Sequence, residues 1–229
     1  MKQSIRAVLV SAAFVFVAHA QAQVPPARGE IAQYTGLFAA ALANNAAGIK
    51  ALIAKGEPVD ARDSYQRTPL HVAAYFAKHD AMRALIASGA NPNALENDRY
   101  DIVTITAVAN DLPTLKLALD LGCKTTNITS RYDGTALIAA AHLGYAEVVQ
   151  TLIKAGAPLD HVNNLHWTAL IESILLGNGG PQHTLTLKYL VEAGASLKLT
   201  DRSGATPLTL ARARGYREMV NILEKSVAR

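Results

Sequence analysis

Cysteine, aromatic residues and charges are all scarce in this chain of 229 residues. A single cysteine, Cys123, excludes an intramolecular disulfide and any zinc site built from several thiolates. Only 17% of the residues are charged, against roughly 25% in an ordinary soluble domain. The 22 basic and 18 acidic residues leave a formal net charge of +4 and form no basic block, so we expect no nucleic-acid partner.

Long hydrophobic runs are also absent, except at the start of the chain. Basic residues precede an apolar run of twelve residues, Ala7 to Ala18, and alternating small residues follow it. This order is typical of a secretory signal peptide, and the run is shorter than the ~20 apolar residues that span a membrane. We expect a signal peptide over residues 1–22, cleaved after Ala20 or Ala22; a buried N-terminal helix is the alternative. The mature chain would then carry 20 − 18 = +2 charges and lie in the periplasm without membrane insertion.

The rest of the chain repeats with a period near 33 residues. A phrase ending in glycine recurs at Gly56, Gly89, Gly122, Gly156 and Gly194, with spacings of 33, 33, 34 and 38. Residues 23–229 therefore form one domain of six units. Their approximate boundaries are 30–62, 63–95, 96–129, 130–162, 163–200 and 201–229.

The second unit indicates what each repeat builds. Thr68 and Pro69 suit the N-cap and first position of a helix. Apolar residues spaced three and four apart over 82–86 predict a second, amphipathic helix, and Gly89 suits a left-handed cap at its end. A pair of short helices cannot bury both faces alone, so the units must stack. The fold class predicted is all-α, a solenoid of about six stacked helix-turn-helix repeats with projecting loops.

The phrase Thr-Pro-Leu-His-x-Ala-Ala over 68–74 resembles the ankyrin repeat, and the likeness extends over about 29–225. It is specific in the second, fourth and sixth units; the first has Gly36 where the phrase has Pro, and the third has Asp101 where it has Thr. The stretch 162–183 is similar to a group of exported bacterial ankyrin proteins. The resemblance implies that His71 ties its helix start to neighbouring backbone.

The resemblance also implies where a protein partner binds. In ankyrin stacks the partner contacts a concave face, through loop tips before the Thr and residues near the end of the first helix. Those places hold Tyr65, Arg67, Tyr75, Phe76, Tyr100, Tyr132, His142, Leu143, His166 and Trp167. Tyrosine, tryptophan and arginine are enriched at binding hot spots. The alternative is that several of them, Trp167 above all, pack the loops together.

Three other places in the sequence are candidate functional sites. A five-residue insertion around 177–183 is glycine-rich but lacks the Lys-Ser/Thr of a phosphate cradle, so we expect an enlarged surface loop. His161 and His166 beside Asp160, with His142 elsewhere, are the least implausible ligands for a metal-dependent enzyme, which is the alternative function. Cys123 stands where other units carry alanine and is expected to be packed.

The function expected from these features is non-enzymatic and needs no cofactor or metal. The mature chain is expected to act as a monomer that binds an unidentified protein along its concave face. Its role would be that of an envelope adaptor or protective factor, or of an inhibitor of a secreted toxic enzyme. The sequence favours neither.

Overall fold

Thirteen α-helices make up the described part of the chain, which in the computed structural model is residues 24–227. A short helix, α1 (Arg28–Ile31), precedes six helix pairs, and across these residues the only β-type pairing is an isolated bridge from Thr129 to Gly134. The first helices of the pairs are α2 (Gly36–Leu42), α4 (Pro69–Tyr75), α6 (Ile102–Val108), α8 (Ala136–Leu143), α10 (Ala169–Leu175) and α12 (Pro207–Ala213). The second helices are α3 (Ala46–Ala54), α5 (His79–Ala87), α7 (Leu112–Asp120), α9 (Ala146–Lys154), α11 (Pro181–Glu192) and α13 (Arg217–Val227). The all-α solenoid predicted from the repeat is confirmed, while the predicted signal peptide, residues 1–22, lies outside the described residues.

The helix pairs stack in two layers. Each first helix packs against the next first helix, and each second helix packs against the next second helix. Leucines at the same place in successive first helices, such as Leu137 and Leu170, are fully buried between the layers, and each contributes about 1.5–3 kcal/mol. Alanine pairs such as Ala140 and Ala141 are equally buried and let neighbouring helices approach closely. None of the helices within 24–227 is long and apolar enough to cross a membrane.

Side-chain caps start most of the first helices. Thr68, Thr135, Thr168 and Thr206 each accept a hydrogen bond from the backbone N–H three residues later. Asp101 does the same for α6 with its shorter 2.8 Å bond from the Thr104 N–H, so the third unit keeps the cap with a different residue. Caps therefore fix the point at which each first helix begins.

The first unit starts its helix differently. Thr35 makes no cap with its side chain. Instead, Glu57 at the end of the same helix pair accepts the Leu37 N–H at 3.0 Å. Gly36 has a φ of +52°, and a Cβ there would lie 2.5 Å from the Glu57 carboxylate. Glycine at the place of proline is therefore what allows the carboxylate to act as the cap.

The insertion in the fifth unit lengthens a helix as well as a loop. α11 has 12 residues, whereas α9 has nine, and it begins at Pro181. The preceding loop is packed: the Tyr216 hydroxyl donates to the Gly177 carbonyl at 2.9 Å. Gly179 has a φ of +69°, and a Cβ there would lie 2.4 Å from the Tyr216 ring. The insertion lies at the surface, as expected, with Asn178 and Gln182 exposed, and a tyrosine of the next unit holds it in place.

His71 joins two units, as the resemblance implied. Its buried ring accepts the Thr68 N–H at Nδ1 (3.1 Å) and lies 3.2 Å from the Tyr100 carbonyl through Nε2. With Nδ1 accepting, Nε2 carries the proton and donates to that carbonyl. Burial lowers the pKa of His71 to about 4, so the ring is neutral in the folded protein at neutral pH.

Acid should therefore weaken the fold through His71. The unfolded imidazole titrates near pH 6.5, and its folded pKa is about 4, so the stability of the neutral ring is fully present above pH 6.5 and is lost as the pH falls towards 4. Between pH 7 and 4.5 we expect the wild type to lose on the order of 2–3 kcal/mol more unfolding free energy than His71→Gln. Urea denaturation of residues 23–229 at both pH values measures this. Equal losses in the two proteins would contradict it.

Candidate functional site

Most of the loops that lead into the first helices are organised by a single side-chain acceptor. In four of them an oxygen accepts the backbone N–H groups two and four residues later, at 2.9–3.0 Å. We call these loops, together with the one between them, the tip loops; they are residues 63–67, 96–100, 129–134, 163–167 and 201–205. The four acceptors are Asp63, Glu96, Asn163 and Asp201.

The sequence interpretation missed these acceptors, although a signal for them exists. Each stands five residues before the residue that caps the following helix, and Asp and Asn commonly bond backbone two residues on. The third tip loop, 129–134, is one residue longer and lacks such an acceptor; there the Thr129 N–H bonds the Gly134 carbonyl at 2.8 Å. A search for Asp or Asn at the repeat period would have found three of the five loops and would have missed Glu96.

Neighbouring tip loops are bonded to one another. The Asn97 N–H donates to the Tyr65 carbonyl at 3.1 Å, and the Asn164 N–H donates to the Tyr132 carbonyl at 3.0 Å. Side chains add to these bonds, for example between the Tyr65 hydroxyl and Asp98 at 2.7 Å. The tip loops consequently form one continuous, preformed row, which would lose little conformational freedom on binding.

Most of the predicted contact residues lie where a partner can reach them. His166 and Tyr132 are exposed at the tips, with Tyr132 44% exposed. The others are partly exposed, namely Tyr65, Tyr75, Phe76, Tyr100, His142, Leu143 and Trp167. We call the accessible side chains of the tip loops and of the C-terminal ends of α4, α6, α8 and α10 the inner surface. That partners bind to these residues stays a prediction.

Arg67 does not belong to the inner surface, and its prediction as a contact residue is corrected. Its side chain is 0% exposed, since its Nε donates to Asp63 at 2.7 Å and its Nη2 pairs with the Glu30 carboxylate. The third donor, Nη1, bonds the Val24 carbonyl at 3.1 Å. Arg67 therefore fastens the N-terminal segment to the first tip loop.

Arg67 affects the pKa of the two carboxylates that are bonded to it. Burial opposes ionisation of Asp63, but hydrogen bonds from Tyr34 and Arg67 outweigh it and hold the Asp63 pKa below its usual value. A backbone hydrogen bond from Ala27, aided by the Arg67 charge, lowers the pKa of Glu30. Both groups are therefore anionic at neutral pH, which matches the permanent charge of Arg67.

His142 is held in place by a buried carboxylate. Glu172, on the neighbouring first helix, lies 3.5 Å from His142 Nδ1 through Oε2 and accepts the Asn163 amide at 2.8 Å through Oε1. The side chain of Glu172 is almost fully buried, whereas a third of His142 is exposed. This chain of contacts joins the fourth tip loop in the row to two helices and fixes the imidazole at the inner surface.

The geometry does not support the alternative of a metal-dependent enzyme. His161 Nε2 is 2.6 Å from the Asp133 carbonyl, His142 Nδ1 is 3.5 Å from Glu172, and His166 is exposed on a tip loop. Across residues 24–227, no three His, Cys, Asp or Glu side chains come together in a group that could hold a metal ion. Cys123 is buried, as predicted, and burial raises the pKa of its thiol to about 12.

Comparison with known proteins points to one family. A family model described as "Ankyrin repeats (3 copies)" matches residues 13–96 and 104–201. The chain is similar to the putative ankyrin repeat protein YahD of Escherichia coli (strain K12), with 31% identity over 180 residues that cover 76% of this chain and 87% of YahD.

Solved structures share the same stack of helix pairs. The ankyrin repeat domain ABAYE2397 from Acinetobacter baumannii AYE superposes with a TM-score of 0.77 at 40% identity, covering 83% of this chain and 97% of that one. The ankyrin repeat domain of Bcl-3, a member of the IkappaB protein family, superposes with a TM-score of 0.74 at 26% identity, covering 85% of this chain and 86% of that one.

Removing the Arg67 guanidinium should destabilise the N-terminal half. Arg67→Met leaves the Asp63 and Glu30 carboxylates without their cation, so we expect a loss of about 3 kcal/mol in unfolding free energy. Arg202→Met is the matched control, because its exposed guanidinium bonds only the Asn164 carbonyl, and it should change stability by less than about 0.5 kcal/mol. Urea denaturation measures both; a loss no larger than the control's would show that the pairing does not stabilise the fold.

Proposed function

The chain belongs to the family of ankyrin-repeat proteins, and we propose that it is an exported, non-enzymatic member that binds another protein along its inner surface. Ankyrin repeats are a general protein–protein interaction module. The observation that carries the proposal is the bonded row of tip loops beside partly exposed aromatic and aliphatic side chains. A rigid surface of this composition suits protein recognition.

The proposed contact residues are the predicted set without Arg67. At the tips they are Tyr65, Tyr100, Tyr132, His166 and Trp167, and at the helix ends Tyr75, Phe76, His142 and Leu143. The helix ends add apolar side chains, since Val108, Leu175 and Leu176 at the ends of α6 and α10 are also partly exposed, with Leu176 39% exposed. A partner would bury these side chains and bond the polar tips, which is the usual division between the core and rim of an interface.

We place the mature protein in the periplasm of a Gram-negative bacterium, as a monomer. The signal-peptide pattern over 1–22 supports this location. Arg67 bonds the carbonyl of Val24, two residues after Ala22, so cleavage after Ala20 or Ala22 would leave this contact in the mature chain. Within this location the protein is an adaptor or protective factor for envelope proteins, or an inhibitor of a secreted toxic enzyme; an active site covered by the bound inner surface would favour the inhibitor.

Site-specific photocrosslinking should trap the partner from the inner surface only. We expect a crosslinking residue at position 143 or 166 to capture the same envelope protein. The same residue at the exposed Lys154 or Lys188, on the second helices, should capture none, because these sites lie on the other layer. Mass spectrometry of the adducts is the readout. Capture from the second helices alone would contradict the proposed surface.

The location is tested by expressing the full chain in a Gram-negative cell. Osmotic shock should release a protein whose N-terminus, read by mass spectrometry, is Gln21 or Gln23. Val15→Arg places a charge in the apolar run of the leader and should keep the chain uncleaved in the cytoplasm. A full-length wild-type chain that stays in the cytoplasm would refute export.

A further inference from the structure

The tip-loop acceptors have a second polar atom, and in two loops this atom has a partner within the chain. Oδ2 of Asp63 receives bonds from Arg67 Nε and from the Tyr34 hydroxyl, both at 2.7 Å. The Asn163 amide donates to Glu172 at 2.8 Å. When this position is buried, the second atom is thus matched by a cation or by a hydrogen-bond partner.

Glu96, the acceptor of the third unit, breaks this pattern. Its Oε1 accepts the Asp98 and Tyr100 N–H groups at 3.0 and 2.9 Å. Its Oε2 is buried and has no hydrogen-bond partner among residues 24–227, although Glu96 is only 4% exposed. Four residues after the acceptor, where the second unit has Arg67, the third unit has Tyr100. The cation that neutralises Asp63 therefore has no counterpart beside Glu96.

The hydroxyl of Tyr75 is a second buried polar atom without a partner in the described chain. Tyr75 ends α4, and its ring is partly exposed on the inner surface. Burial and the charge of Glu96 raise the pKa of Tyr75, which places the two side chains within electrostatic reach. A buried donor or acceptor left unpaired is unfavourable, so both atoms are poised to gain from a ligand that bonds them.

The local charge is negative and weakly balanced. Burial raises the pKa of Glu96, and the nearby charge of Asp98 raises it further. Arg131, which approaches Asp98, is 76% exposed with its Nη2 4.0 Å away. Arg67 is bonded to Asp63 and Glu30, and its charge lowers the pKa of Glu96 without offsetting the effect of burial. Among the described residues, neither guanidinium forms a hydrogen bond with Glu96 Oε2.

We propose that Glu96 anchors an arginine side chain of the bound protein. The Tyr75 ring moves aside, the guanidinium pairs with Glu96 Oε2 and the Tyr75 hydroxyl turns to the solvent or the ligand. This deepens the proposed function and rests on it, because it assigns one chemical feature to the partner at the inner surface. Arginine fits better than lysine, since its planar group pairs with a carboxylate and stacks on an aromatic ring such as that of Tyr75; the Tyr65 ring already has the Arg67 guanidinium 5.2 Å from its centroid.

An anchoring role and a structural role predict opposite effects of one substitution on the Tm of the free protein. Glu96→Gln keeps the Oε1 acceptor for the tip loop and removes the unbalanced charge. We expect it to raise the Tm of the free protein by about 2–4 °C and to weaken the binding of the arginine ligand at least tenfold. Glu147→Gln is the matched control: it makes the same substitution at an exposed glutamate of α9, outside the inner surface, and should leave ligand binding unchanged.

The probe is the peptide acetyl-Gly-Arg-Gly-amide, compared with its neutral citrulline counterpart. NMR titration of the labelled mature chain should shift the Glu96 carboxyl and Tyr75 ring signals with the arginine peptide only. Equal shifts with citrulline, arginine binding unaffected by Glu96→Gln, or a lower Tm in Glu96→Gln would each overturn the anchor.

The anchor and the proposed function fail in different ways. If the photocrosslinked partner binds Glu96→Gln as tightly as wild type, the anchor is wrong and the protein-binding function stands. If the arginine peptide binds at Glu96 but no protein crosslinks from positions 143 and 166, the anchor stands as a peptide site and the proposed inner-surface function is wrong.

Discussion

The stack depends on one constraint: a pair of short helices has more apolar surface than it can bury by itself. Every unit must therefore find part of its core in a neighbour, and leucines and alanines recur at fixed places for this reason. Within residues 24–227, the first and last units each pack against one neighbouring unit. Arg67 holds an N-terminal segment against the first units, and α13 covers the last unit with a partly charged helix paired through Arg212 and Glu224.

The sequence was sufficient for the parts of the fold that depend on local or periodic information. The helix caps, the left-handed glycine after α5 and the buried Cys123 follow from residues at a repeat spacing, and the bond of His71 to neighbouring backbone was implied by the resemblance to the ankyrin repeat. Two misses came from contacts that no period describes. Arg67 bonds residues 37 and 43 positions before it, and the Tyr216 hydroxyl bonds a glycine carbonyl 39 positions before it.

The candidate surface was predicted in position but not in chemistry. Alignment to the repeat located Tyr75 and His142 at helix ends, where the structure has them. It could not show that a buried glutamate lies near each of these two residues. Glu172 has partners on both carboxylate oxygens, whereas Glu96 has partners on Oε1 only. Glu172 is paired with His142 of the previous first helix, so the difference depends on packing between units.

Two of the units differ in length, and each difference is confined to one end of the unit. The third tip loop, 129–134, has an extra residue, and the fifth unit carries its additional residues at the opposite end, between its helices. The helix faces that meet the neighbouring units keep their register in both cases. In evolutionary terms, such a chain can change the surface at either end of a unit and keep the contacts between units that hold it folded. Changes in recognition and changes in stability therefore need not be inherited together.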